Sequence, residues 1–567
     1  MSRCSPHSLL YLTVDFIAIN YKKVCFVKKK QEGCNFDISW LGWSHYESYR
    51  LPLPVSELLL QRFLFHFRLT TSMDFLTLFT DPSSCPLRKF SLANVYFKYL
   101  CNSNYLKFVL PMIIKSQKLV ELNIGAENCH LLADMETFTS NCASLKYLSI
   151  FGFYASHVSA KRLCLSKHQI FKNPTFPRIF QNLHYLSLCN CSYIGDDEII
   201  IITAEMKNLN SLDLSKTKVA NTISFKNIYK QLKMLVLHDT PLVYNDLTGL
   251  LEFSNLQHLD ISHSLQVSQL YDENDEVVDG DDYLHTFFTS GKSLPFLKML
   301  DISGNKISDI KAFQGFLQRH EKLSFLGLLG IIDRIETKII GNLEVTGENT
   351  LSGVFASLYH YQNRPDYLTR ALKHLFCLAE NDSINKDVRF RKKLVEIVLI
   401  VIGKYTYLSK ECVQLEELQT AASACLHHLI KFDKENDLNS LHISILNDLV
   451  KVVMEILHIF SAKQIQRNCV IVLYNQYILS CAKFDAHRLS KLLFKAICSL
   501  PQEQVTSIAL DMCAYLSSKI TMDETLNLGT SENVETLLRI INSQVLETTD
   551  GPLLQCSLRV LWNLTGT

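Results

Sequence analysis

Glycine and proline are scarce in this chain, 19 and 13 among 567 residues. Their scarcity excludes collagen-like and proline-rich architectures and points to long helices joined by few elaborate loops. Neither sign of charge dominates. Lys and Arg number 57 against 56 Asp and Glu, a net charge of +1, which argues against a nucleic-acid binder working through a whole-surface basic field. Long apolar runs are missing too. The longest, Leu394–Ile402, is interrupted by Glu396 and falls short of the roughly 20 residues a bilayer span needs. The first 20 residues hold an apolar stretch broken by Asp15, with Arg3 as the sole early base and no small-residue cleavage site, so no secretory leader is expected. What remains, 47% hydrophobic and 20% charged, is the composition of a folded soluble chain.

Catalytic signatures are equally thin. Gly291-Lys292-Ser293 looks like the end of a phosphate loop, but Thr286 stands where its first glycine belongs. The 19 histidines show no metal spacing, and the adjacent His427 and His428 are expected on different helix faces. No Gly-x-Ser-x-Gly occurs. Acidic residues crowd Tyr271–Asp282, without the alternating ligands and closing glutamate of an EF-hand, so a solvated loop is expected rather than a calcium site. Neither enzyme activity, cofactor nor metal is expected. Cysteine is the unusual count, 18. Cys189 and Cys191 have one residue between them, where zinc sites want two to four. Most others, such as Cys377, Cys425, Cys498 and Cys513, sit alone in apolar runs and are expected to be buried free thiols, which suits cytoplasm or nucleus.

A repeat fills the middle of the chain. Leu-x-x-Leu-x-Leu/Ile recurs at Leu119, Leu145, Leu183, Leu209, Leu232, Leu256, Leu297 and Leu323, with a weaker copy at Leu87. Most copies start 23–26 residues apart, with three longer gaps. The alternation at the end of each copy is a short strand with one buried face. Only leucine-rich repeats combine that strand with this period. Eight residues after the first Leu stand Cys191, Thr217, Thr240, Ser264 and Asn305, all able to bond backbone groups of the turn leaving the strand. After about residue 340 the pattern becomes helical, predicting helices over 367–379, 390–402, 415–430, 441–459, 466–479, 489–500, 505–520, 534–545 and 552–564. Leu418–Leu429 and Leu553–Leu564 look alike and resemble the third helix of an armadillo repeat. The fold class is thus an α/β leucine-rich-repeat solenoid followed by an all-α armadillo-like superhelix.

Two short elements precede the array. Ser8–Ile17 reads as a one-sided helix, and Arg50–Phe63 as a proline turn opening a second. Between them, Lys22, Lys23, Lys28, Lys29 and Lys30 read as a solvated loop.

This order of elements resembles the Zyg-eleven and Zer family of substrate receptors for elongin–cullin ubiquitin ligases. Carrying stretches include Ser8-Leu-Leu, Leu51–Leu60, Glu344-Val-Thr-Gly347, Arg370–Phe376, Ala421–Cys425 and Leu561–Thr565. The resemblance implies three parts: a helical box region at 1–70 binding elongin C and cullin, leucine-rich repeats at 85–335, and incomplete armadillo-like repeats at 350–567. It implies elongin C contacts at Leu9, Thr13, Phe16 and Ile17, with Thr13 replacing a family Cys, and cullin contacts at Pro52 and Val55. Elongin B would accompany elongin C, and neither nucleic acid nor membrane would be a partner. Trp562 and Asn563 match positions that hold an N-terminal glycine degron in the family's helical groove. Gly566 stands where the family has an acidic residue and the sequence stops at Thr567, so a truncated chain with weakened or lost degron binding is expected. The family role is non-catalytic substrate recognition for proteasomal degradation, with links to the cell cycle. Two other readings stay open: an F-box-type, Skp-dependent adaptor, since Leu53-Pro54-x-x-Glu57 resembles that box, and a scaffold with no ligase role.

Overall fold

A computed structural model describes residues 13–14, 16–18, 25–33, 36–43, 50–67, 74–91, 109, 112–114, 116–125, 145–151, 181–242, 247–265, 283–331, 343–347, 350–380, 388–406, 413–430, 441, 443–500, 504–547 and 551–565. The acidic stretch 271–282, Leu9 and Gly566 lie outside them. The chain divides into two compact units, Met1–Val345 and Thr346–Thr567.

After a short helical stretch at residues 13–18, the first unit has a hairpin, β1 (Cys25–Gly33) antiparallel to β2 (Phe36–Trp43), with Gly33 opposite Phe36. This corrects the loop expected around Lys28, Lys29 and Lys30. Strand preference depends on the partner strand, and Phe36-Asp-Ile-Ser-Trp40 alternates as a strand should, so three lysines do not prevent pairing. Next comes helix α1 (Leu53–Phe67), where the N–H groups of Val55 and Ser56 donate to Pro52 O. The prolines fall where helix N–H groups have no intrahelical partner anyway. Leu59, Leu60 and Phe63 are buried, and Phe63 stacks on Phe75 with ring centroids 4.8 Å apart.

A ladder of parallel strands follows in strict sequence order: β3 (Lys89–Ser91), β4 (Glu121–Gly125), β5 (Tyr147–Phe151), β6 (Tyr185–Ser187), β7 (Ser211–Asp213), β8 (Met234–Val236), β9 (His258–Asp260), β10 (Met299–Asp301), β11 (Phe325–Gly327) and β12 (Glu344–Thr346). The second residue of each, from Phe90 in β3 to Val345 in β12, is buried, and Leu186, Leu212, Leu235 and Leu259 lie in register as one column. Nine strands follow the leucine spacing. The tenth, centred on Val345, continues the ladder beyond residue 335, where Leu343-Glu-Val345 no longer carries the repeat signature. Helices α2 (Asp196–Glu205), α3 (Tyr283–Thr289) and α4 (Ile310–Arg319) occupy some of the returning segments. Phe287, Phe288, Phe313 and Phe316 fill the space between α3 and α4, with centroids 5.2–5.3 Å apart for the closest pairs.

The turn leaving each strand explains the polar residue eight places after the first Leu. Thr217 Oγ1 donates to Leu214 O at 2.7 Å and Thr240 Oγ1 to Leu237 O at 2.8 Å. Asn305 Nδ2 donates to Ile302 O and to Ile261 O in the preceding repeat, both at 2.9 Å, so one amide closes its own turn and stitches two repeats. One position earlier the chain is left-handed, at Asn190, Lys216, Asp239, Gly304 and Gly330. Asn, Asp and Gly tolerate that conformation, whereas Lys216 at φ 58° is held there against its preference.

After Thr346, which closes β12, the second unit is a series of helices: α5 (Leu351–His360), α6 (Pro365–Glu380), α7 (Val388–Tyr405), α8 (Val413–Ile430), α9 (Ile443–Ile459), α10 (Lys463–Leu473), α11 (Gln476–Cys481), α12 (Ala486–Ser499), α13 (Gln504–Leu516), α14 (Met522–Leu526), α15 (Ser531–Glu547) and α16 (Pro552–Thr565). Two rows stack, α6–α8–α10–α13–α16 and α7–α9–α12–α15, as an all-α superhelix. Two of the predicted helices break. The one expected over 466–479 divides because Asn475 leaves the helix to cap α11, its Oδ1 accepting from Tyr477 N and Ile478 N at 3.0 and 3.1 Å. The one expected over 505–520 ends at Leu516, and Thr521 and Glu524 then form a reciprocal capping box that starts α14.

Candidate functional site

Three places carry the residues singled out above. In the first, Thr13, Val14, Phe16, Ile17 and Ala18 are helical. Val14 and Ala18 are buried in the core of the first unit, Ile17 is half-buried against it, and Thr13 and Phe16 are exposed, Phe16 by 62%. At 100° per residue Val14 and Ala18 mark the inward direction and Phe16 lies nearly opposite. The expected outward face through Thr13 and Ile17 is therefore rotated, with Ile17 turned partly into the solenoid and Phe16 as the apolar side chain facing out.

The second place is the start of α1. Pro52 is exposed, while Val55 is half-buried and packs on the core. Leu51 N donates to Ser84 O at 2.9 Å, and Glu57 Oε1 accepts from Arg88 N and Lys89 N at 3.1 Å. Glu57, the acidic residue of the box-like Leu53-Pro54-x-x-Glu57, thus holds the entry to β3. Gln117 completes the joint, its Nε2 donating to Phe79 O and Cys85 O and its Oε1 accepting from Leu87 N.

The third place lies at the end of the α6–α16 row. Trp562 on α16 is 74% exposed, the most exposed large apolar side chain among the described residues. Asn563 is half-buried and its Nδ2 donates to Ser517 Oγ at 2.7 Å, which fixes the amide. Beside them the Asp511 carboxylate of α13 accepts from the Tyr474 hydroxyl at 3.3 Å and faces Arg559 Nη1 at 3.8 Å. Burial raises the Tyr474 and Cys556 pKa values, and the nearby Asp511 charge adds to both shifts. Tyr474, Asp511 and Arg559 escaped the sequence reading, although a signal was there. Val472-Leu-Tyr-Asn475 repeats Val560-Leu-Trp-Asn563, and each puts an aromatic residue on the same row, Tyr474 being 49% exposed.

Further along that row, the His427 and His428 rings meet edge to face with centroids 5.1 Å apart, and His428 packs on Phe376 at 4.9 Å. Neighbouring residues on a helix leave it 100° apart, and the two rings touch edge to face across that angle. Cys377 is exposed and Cys498 half-buried rather than buried, while Cys425 and Cys513 are buried and burial pushes their thiols far up. Lys292, from the broken phosphate-loop pattern, pairs with Glu252 at 2.6 Å.

A contrasting carboxylate sits in the strand ladder. Asp239 accepts from Ser264 N at 2.6 Å and from Ser264 Oγ, and faces His238 Nε2 at 3.3 Å, Lys216 Nζ at 3.5 Å and His263 Nδ1 at 3.6 Å. Burial alone would raise its pKa, but the bonds from His263 and Ser264 and the His238 charge outweigh burial and hold it well below the usual carboxylate range. The cluster joins three successive repeats. Among the described residues no group of three or more His, Cys, Asp or Glu could hold a metal ion, and no helix is long and apolar enough to cross a membrane.

Comparison with known proteins agrees with this architecture. Residues 200–322 match the family model described as Zer-1-like leucine-rich repeats, and residues 408–567 match the C-terminal domain of protein zer-1 homolog-like chains. Protein zer-1 homolog of Homo sapiens is 22% identical over 520 residues, covering 87% of this chain and 63% of its own length. The Mus musculus homolog is 23% identical over 545 residues, with 87% and 64% covered. The Drosophila melanogaster homolog is 22% identical over 263 residues, with 46% and 31% covered. The chain therefore spans a little under two thirds of the length of the mammalian relatives it matches.

Proposed function

We propose that this chain, which belongs to the Zer-1-like family, is a non-catalytic substrate-recognition subunit of a cullin-RING ubiquitin ligase. In this reading the first helix presents Phe16 and Thr13 to elongin C, which arrives with elongin B, and Pro52 meets the cullin scaffold. The exposed face at the end of the α6–α16 row receives the substrate's N-terminus, with glycine first. The cytoplasm or nucleus is where such a subunit would work.

The exposure of Trp562 carries the reading. Trp562 offers a large apolar face of the kind enriched at binding surfaces. An exposed aromatic flanked by a fixed amide is suited to a peptide. Asn563 donates through Nδ2 to Ser517, which leaves its Oδ1 to accept from a peptide N–H. The Trp562 face would pack on the short first residue.

Co-expression with elongin B, elongin C and a cullin tests the ligase role. The wild-type chain is expected to co-purify with all three, and Phe16→Asp to lose elongin C without a change in melting temperature. Elongin C missing from the wild-type complex would refute the assignment, and the Skp adaptor in its place would establish the F-box alternative.

A further inference from the structure

Strands β4, β6, β7, β8, β9, β10 and β11 all begin in the same way. The two successive N–H groups that enter each strand donate to one carbonyl oxygen of the repeat before it. Asn210 N and Ser211 N share His184 O, Lys233 N and Met234 N share Asn210 O, and Gln257 N and His258 N share Lys233 O, all at 2.6–3.1 Å. Strand β3 heads the ladder, and its entering groups, Arg88 N and Lys89 N, also share a single oxygen. That oxygen is Glu57 Oε1, 3.1 Å from both. A side-chain carboxylate on α1 thus stands where later strands find a backbone carbonyl. It can fill that role fully, because a charged acceptor bonds backbone N–H groups more strongly than a neutral one.

Helix α1 is tied to the same entry a second time. Phe63 stacks on Phe75 and meets Phe79 edge-on, with centroids 4.8 and 6.2 Å away, and both partners lie in the 3-10 helix Asp74–Thr80. Gln117, only 2% exposed, then joins that helix to the ladder, since its Nε2 holds Phe79 O and Cys85 O and its Oε1 takes Leu87 N. Glu57 and Phe63 are six residues apart, about 9 Å along the helix. One tie would leave a pivot, whereas two ties at that spacing fix the direction of α1. Repeat arrays are closed at their ends by atypical caps, and α1 meets that need while carrying the exposed Pro52 at its own start.

We propose that α1 serves as the zeroth repeat of the ladder and that Glu57 is a positioning residue. It seats the docking segment in register with the strands, so that the ladder leaves a bound cullin at one fixed angle. The proposal rests on the ligase reading of the α1 start. It takes Glu57 out of the docking contacts and gives it a part in geometry rather than in affinity.

Distances between two spin labels in the full chain test it, with labelled residues introduced at Gln61 on α1 and at Lys230 on the ladder, both exposed. The wild type should give one narrow distance. Glu57→Leu, which keeps the bulk and removes the acceptor, should lose that narrow peak, while strands β6–β11 keep their amide protection. Glu57→Gln retains an oxygen acceptor and should restore the peak. With elongin B, elongin C and a cullin bound, Glu57→Leu should keep the wild-type Kd, and the distance from Lys230 to a label on the cullin should broaden. A narrow peak in Glu57→Leu, even with a lower melting temperature, would make Glu57 a stabilising cap and overturn the positioning role. Broadening accompanied by lost protection along β6–β11 would mean that the ladder itself opens, and would overturn it too. A weaker Kd would place Glu57 among the docking contacts and refute the proposal. Failure of the wild type to bind elongin C and cullin would remove the ligase reading and the positioning role with it, and the label pair within the chain would still report whether the joint is rigid.

Discussion

Two aspartates separate the two halves of this molecule. Asp239 in the strand ladder is surrounded by Ser264, His238, His263 and Lys216 and lies mostly buried, its side chain 18% exposed. Asp511 in the helical unit has one hydroxyl and one distant guanidinium, and is 43% exposed. The first carboxylate is fully engaged in holding three repeats together. The second has spare capacity. The contrast is between one carboxylate bonded on every side within the ladder and one on the helical unit that solvent reaches, on the same row of helices as the 74% exposed Trp562.

Substitutions can break or sharpen that contrast. The largest effect should come from the ladder column: Leu259→Ala, at a fully buried position, should cost about 3–4 kcal/mol by denaturant unfolding. A cost under about 1 kcal/mol would mean the column is not the core. Asp239→Asn should follow at about 3 kcal/mol, because a buried, multiply bonded carboxylate is removed while its partners remain. The Asp239 pKa is depressed on folding, so its contribution is present above the unfolded value near 4 and is lost as pH falls further. Acid unfolding of the wild type should therefore steepen below about pH 4, and Asp239→Asn should flatten that limb.

Smaller effects should appear at the exposed residues. Trp562→Ala should change stability by no more than about 0.5 kcal/mol while weakening binding of a Gly-starting peptide about ten-fold or more. A large loss of stability instead would make the indole a structural residue. Asp511→Asn should cost the folded state about 0–1 kcal/mol, the range for exposed pairs, and a cost near that of Asp239→Asn would erase the distinction between the two sites.

Much of this architecture was legible in the sequence, for reasons that also mark the limit. Leucine spacing predicts nine ladder strands because the buried middle residue must recur once per repeat. It misses β12 because Val345 stands there with Leu343 at a different offset, although the backbone pairing continues. The β1–β2 hairpin is hidden by lysines, since composition weighs charge while a hairpin is settled by its partner strand. The break after α10 turns on one side chain: Asn475 sits within an unbroken apolar pattern, and only its choice between helix and cap decides the boundary. At the candidate site, Trp562 and Asn563 are visible as a motif. Asp511 is not, because it comes from a helix some fifty residues earlier in sequence, and contacts between stacked helices leave no local signal. Phe16 is legible as part of an apolar helix, yet which side of that short helix faces out depends on where Val14 and Ala18 find the core.

Hydrogen–deuterium exchange on the full chain, with and without a Gly-starting peptide, tests the division of labour most directly. The account predicts peptide-dependent protection in Gln504–Leu516 and Pro552–Thr565 and none along strands β6–β11. Protection confined to the strand ladder, or an identical exchange pattern at saturating peptide, would contradict it.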